Sequence, residues 1–124
     1  KRDSPNVLNY LAYGWIERDM KIEESFEMLI DAHNANPDSH YILDSLAWAY
    51  FKKKDFVKAA ELMEEVIDMV PGEAISLDHL GDIYFAMNRK REAAYLWKQA
   101  KDLANSEDKI IENIEKKLRE YNAS

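Results

Sequence analysis

The chain repeats itself with a period of 34 residues. Pro37 and Pro71 stand 34 apart, as do Ser25, Ala59 and Ala93, and Leu29, Met63 and Trp97 follow at the same interval. Leu46-Ala47-x-x-Tyr50 returns as Leu80-Gly81-x-x-Tyr84. A fixed period of this length is the mark of stacked helix pairs, each pair too small to bury its own apolar face and each needing a neighbour. A chain built this way works through the surface the stack creates rather than through a reactive constellation.

The periodicity divides the sequence into four segments. Residues 5–37 form the first unit, with apolar residues at Val7, Leu8, Leu11, Ala12 and Trp15, then Ile22, Phe26, Leu29, Ile30 and Ala32. Residues 38–71 form the second, with Ile42, Leu43, Leu46, Ala47 and Tyr50 on its first helix and Phe56, Ala59, Ala60, Met63, Val66 and Ile67 on its second. Residues 72–105 form the third, with Leu77, Leu80, Gly81 and Tyr84, then Ala93, Ala94, Trp97, Ala100 and Leu103. Residues 106–122 read as one more amphipathic helix, capped by Ser106, with Glu107 and Asp108 in its first turn and Ile110, Ile111, Ile114, Leu118 and Tyr121 as its stripe. Such a helix closes a stack by covering its last face. Asn6 or Ser4 is suited to capping the first helix, and Asn36-Pro37 to ending the second. Leu11 and Leu46 are 35 apart while Ser25 and Ala59 are 34 apart, so the first unit carries one extra residue in its turn. The fold class expected is all-α: a right-handed α-solenoid of three helix pairs plus a capping helix, seven helices in all.

These residues resemble the tetratricopeptide repeat family, whose pattern sets a large residue, Leu-Gly, Tyr, Ala, an aromatic and Pro at fixed offsets. The second unit matches with Leu43, Leu46-Ala47, Tyr50, Ala59, Met63 and Pro71; the third with Leu77, Leu80-Gly81, Tyr84, Ala93 and Trp97; the first with Leu8, Leu11-Ala12, Trp15, Ser25, Leu29 and Pro37. Ala12 and Ala47 depart from the usual Gly, and no Pro stands at Asn105. The wording of the repeats is similar to the C-terminal end of bacterial members of the family. That resemblance implies a fragment of a longer protein that acts as an adaptor or scaffold, with a periplasmic or envelope-associated location implied by some lipoprotein members and a cytoplasmic one as the alternative. Lys1-Arg2-Asp3-Ser4-Pro5 leads into the first repeat without an apolar leader.

In this family the first helix of each pair faces the concave side, and residues beside the packing positions line a groove. The register assigns to that groove Asn9, Tyr10 and Tyr13 in the first repeat, Tyr41, Asp44, Ser45, Trp48 and Phe51 in the second, and Asp78, His79, Asp82 and Phe85 in the third. Amide and carboxylate side chains can hold a peptide backbone, and Tyr and Trp supply contact area at low entropic cost. A groove that clamps an acidic tail needs Lys and Arg at these sites, so a basic or apolar peptide is the expected partner. A second reading stands beside it: Asp44 and Asp78 cross-link or cap helices, and Trp48 packs. The leading face of the first repeat, assigned to Val7, Leu8, Ile22 and Phe26, has no cap helix before it. It offers a surface for stacking on an upstream repeat or for pairing with a second copy, making a structural end segment that self-associates the alternative function.

Other classes fit poorly. The net charge of −7 repels nucleic acid and anionic lipid. There is no cysteine, and His33, His40 and His79 lack metal spacing, so no metal or cofactor is expected. No apolar run approaches a membrane span. Asp44, Ser45 and His79 are triad residue types, but no oxyanion donor accompanies them, and an enzyme is not expected. Lys52-Lys53-Lys54 and Arg89-Lys90-Arg91 read as solvated turns, and Trp15, Trp97, Met63 and Met69 as core.

Overall fold

The computed structural model describes residues 5–104 and 109–123. The expected cap Ser4, the Ser106 cap and the acids Glu107 and Asp108 lie outside the described residues, as does the side chain of Asn6. Among the described residues there are seven helices and no strand: α1 (Pro5–Glu17), α2 (Ile22–Ala35), α3 (His40–Lys52), α4 (Phe56–Met69), α5 (Ala74–Ala86), α6 (Lys90–Leu103) and α7 (Ile110–Ala123). The chain falls into two compact units that divide within α4, after Val66.

The helices start and stop for local reasons. Ser39 caps α3, its Oγ accepting from the Ile42 N–H at 3.4 Å, and Asp55 Oδ1 accepts from the Lys58 N–H at the head of α4 at 3.3 Å. The three turns inside the repeats share one geometry. Asp19, Lys54 and Asn88 take a left-handed conformation, with φ of 55°, 69° and 65°. The next residue then donates back five positions: Met20 to Trp15, Asp55 to Tyr50 and Arg89 to Tyr84, at 2.8, 3.0 and 2.8 Å. This is the Schellman closure, which satisfies a helix-end carbonyl that would otherwise be orphaned. The extra residue of the first turn is Lys21, itself left-handed at φ 49°, inserted between that closure and α2.

In unit 1, α1 packs on α2, and α3 packs on both. Ile16, Leu29, Ile42 and Met63 are completely buried there, with Ala12, Ala32, Ala47 and Ala59 between them. Each large side chain so buried stabilises the fold by roughly 1.5–3 kcal/mol. In unit 2, α5 packs on α6 and α6 on α7, around Ile83, Ala93, Trp97, Ala100 and Ile114. Trp97 lies against Gly81, where a Cβ would overlap the indole. The repeat position that accepts Ala12 and Ala47 in unit 1 must therefore be glycine in unit 2.

Three expectations change. Phe26 does not belong to the leading face: its ring meets Tyr50 of α3 edge-on at 5.0 Å. Met69, at the end of α4, is exposed rather than core. Three of the turn cations are paired: Lys52 with Asp19 at 3.1 Å, Lys53 with Glu23, and Arg89 with Glu92 at 2.7 Å while lying 3.8 Å from the Tyr84 ring centre. Hydrogen bonding to Arg89 lowers the pKa of the Glu92 carboxyl below its ordinary value.

Candidate functional site

The twelve groove positions divide by burial. Ser45, Trp48, Asp78 and His79 are buried. Asn9, Tyr13, Asp44, Phe51 and Asp82 are half-buried, and Tyr10, Tyr41 and Phe85 are exposed. Asp44 and Ser45 belong to unit 1 and His79 to unit 2.

In unit 1 the structure brings the aromatic members together. Trp48 and Phe51, one turn apart on α3, stack with centroids 4.5 Å apart and planes 19° from parallel. The Lys52 ammonium lies 5.9 Å from the Trp48 centroid, within cation–π reach, while its charge is answered by Asp19. Tyr41, at the start of the same helix, is 63% exposed. Tyr13 and Asn9 stand one helical turn apart on α1, which packs beside α3. On α3 the register sets Tyr41, Asp44, Trp48 and Phe51 along one side of the helix, with Trp48 buried under the stack. Tyr10 instead shares the stripe of Val7 and Leu11, at i, i+3 and i+4.

Unit 2 treats its acidic positions differently. Asp78 and Asp82 are one turn apart on α5, and the Lys117 ammonium of α7 sits between them. Lys117 Nζ donates to Asp78 Oδ1 at 2.9 Å and to Asp82 Oδ1 and Oδ2 at 2.9 and 3.1 Å. Its charge also lies 5.6 Å from the Trp97 ring centre, and Phe85 borders the same indole at 5.5 Å. Burial raises the pKa of the Asp82 carboxyl, an effect that the attraction of Lys117 only partly offsets. Burial also disfavours the Lys117 ammonium, but the attraction of Asp82 and Asp78 together outweighs it and raises its pKa above the ordinary value. The cross-linking reading holds at Asp78, which ties α5 to α7.

Lys117 is the residue that sequence reasoning missed. Its position late in α7 suits the helix dipole, but it also falls in line with Ile110, Ile114 and Tyr121, within the buried stripe. A lysine in such a stripe signals a long stem reaching an acid across a helix interface. Among the described residues, no group of three or more His, Cys, Asp or Glu is placed to hold a metal ion, and no helix is long and apolar enough to cross a membrane.

No family model matches the chain. A tetratricopeptide repeat-containing protein of Pseudomonas aeruginosa is 29% identical over 80 residues, 64% of this chain and 13% of that protein, so the match spans a small part of the relative's length. Solved structures align over nearly the whole chain. The Yersinia enterocolitica type III secretion translocator chaperone SycD gives a TM-score of 0.83 at 15% identity, covering 99% of this chain and 95% of that one. The first tetratricopeptide domain of Spaghetti (RPAP3), bound to the HSP90 peptide SRMEEVD, gives 0.78 at 19% identity, covering 98% and 94%. The Sgt2 tetratricopeptide domain from Aspergillus fumigatus gives 0.75 at 19% identity, covering 97% and 82%. Three repeats of matching register, helix pairs closed by a common turn, and these likenesses lead to one conclusion: the fold is all-α and of the tetratricopeptide type, and the repeats of this chain are similar to tetratricopeptide repeats.

Proposed function

We propose that the chain is a protein-interaction module, an adaptor or scaffold segment that holds an extended basic or apolar peptide on the first-helix face of unit 1. The observation that carries this reading is the exposed Tyr41 and the half-buried Phe51 on α3, with Phe51 braced by its stack on the buried Trp48. Aromatic rings fixed on a helix give a peptide contact area without ordering a loop first. Asp44 adds a carboxylate suited to backbone N–H groups and to basic side chains. The related fold of Spaghetti is bound to SRMEEVD, a peptide with three acids. In this chain the candidate positions carry aromatic and acidic groups, and the cation near them, Lys52, is engaged by Asp19, which argues against an acidic tail here. In unit 2 the acid pair already holds a lysine ammonium, a preference of the same sign.

Fluorescence polarisation with two labelled heptapeptides, one basic and apolar and the other SRMEEVD, tests the reading. The basic peptide should bind, and Tyr41→Ala and Asp44→Lys should each weaken it about tenfold or more. Val57→Ser, at an exposed position of α4, should leave it unchanged. Equal binding by all three variants, or preference for the acidic peptide, overturns it.

A further inference from the structure

The repeat register allows the same four positions to be compared in three repeats. On α1 they are Val7, Tyr10, Leu11 and Gly14; on α3, Ile42, Ser45, Leu46 and Ala49; on α5, Ser76, His79, Leu80 and Ile83. In α3 and α5 all eight are at most 6% exposed. On α1, Val7 is 45%, Tyr10 80% and Leu11 40% exposed, and a Cβ built on Gly14 meets nothing within 4 Å. The α1 stripe is apolar at i, i+3 and i+4, and Gly14 leaves a notch at i+7. Repeats two and three bury this stripe; repeat one does not.

We infer that this face of α1 is a docking site for a further tetratricopeptide-type helix pair, whose second helix lies on it as α2 lies on α3. The occupant follows from the register: within unit 1, α3 packs on both helices of the pair before it, and its four equivalent residues are buried. The Gly14 notch accepts close approach of a backbone or a bulky side chain, as Gly81 accepts Trp97. A second copy of the chain is a poorer occupant. In unit 2, α7 already packs on α6, where a stacking repeat would lie. Pairing α1 with α1 would join two single-helix stripes, far short of the roughly 20–30 residues a side of a stable interface. The Pseudomonas relative, of which the match covers 13%, shows that such repeats occur within much longer chains. The inference is independent of the aromatic face of unit 1.

The test is the whole chain with an extra copy of residues 5–38 inserted before Ser4, which keeps the 35-residue register of the first repeat and gives Ser4 the place that Ser39 has before α3. Amide exchange across α1 should slow at least tenfold relative to the parent chain, and the thermal midpoint should rise. Leu11→Glu should abolish both gains in the extended chain while shifting the parent midpoint little. Unchanged α1 exchange overturns the inference, and so does an added pair that stays unfolded, because a matching face would fold it. A parent chain that sediments as a dimer, and as a monomer after Leu11→Glu, overturns it in favour of a second copy.

Discussion

Units 1 and 2 are built on one period and use it in opposite ways. At the close-approach position unit 1 has Ala12 and Ala47, with Leu29 and Met63 at the corresponding second-helix sites; unit 2 has Gly81 under Trp97. At the groove positions unit 1 carries Tyr13 on α1 and the Trp48–Phe51 stack on α3, whereas unit 2 has an acid pair closed by Lys117. Unit 1 begins with a bare α1 stripe; unit 2 ends under α7. A repeat position thus fixes where a side chain stands. Its use depends on what the next element brings to it. In unit 2 the groove acids Asp78 and Asp82 become a socket because Lys117 of α7 reaches them.

The sharpest way to break the comparison is to exchange the packing solutions. Gly81→Ala should destabilise unit 2 by about 2 kcal/mol, because the added Cβ overlaps a fully packed indole. Adding Trp97→Met copies the Ala47/Met63 solution of unit 1. It should restore part of that loss, helped by removing the Trp97 Nε1–H, which is buried without an acceptor among the described residues. Urea melts of the two single variants and the double variant read the coupling; additive losses would show that the solutions are not interchangeable.

The socket of unit 2 comes next in size. Lys117→Met leaves Asp78 and Asp82 partly buried and facing each other, at a cost on the order of 2 kcal/mol. The raised Lys117 pKa also sets the sign of a pH effect. The folded state holds this proton more tightly than the unfolded chain, so the contribution is complete below the ordinary value of 10.5. It is lost as pH rises through the higher folded value. Trp97 fluorescence should report an alkaline step that vanishes in Lys117→Met; an unchanged step in the variant assigns it to another group.

The smallest effect lies in unit 1. Ser25 occupies the position of Ala59 and Ala93, is completely buried, and its Oγ has no partner among the described residues. Ser25→Ala removes an unsatisfied hydroxyl and improves helix propensity, and should stabilise by about 1 kcal/mol in thermal melts. A loss would point to a bond that the hydroxyl makes.

The seven helices were legible because each carries a stripe of period 3.6 within a period of 34. The extra residue of the first turn was legible by counting. The shared turn geometry was not, because Asp19 and Lys54 hold left-handed positions where glycine is the usual signal. The candidate face was half legible. Counting found Tyr41 and Phe51, but it also chose Ser45, Trp48, Asp78 and His79, which are buried, since register alone does not tell whether a neighbouring element covers a position. Phe26 was drawn to the leading face by its place near the start of α2, and only packing revealed Tyr50 across from it.

By itself the sequence determined the class of fold, the order of helices and the small residues needed where helix pairs close up, because periodicity and side-chain volume are local properties of the chain. Only the tertiary structure decided that Lys117 answers Asp78 and Asp82, 39 and 35 residues away, and that the α1 stripe stays bare. Charge pairing and burial depend on what other segments bring to a surface, and no local pattern encodes that.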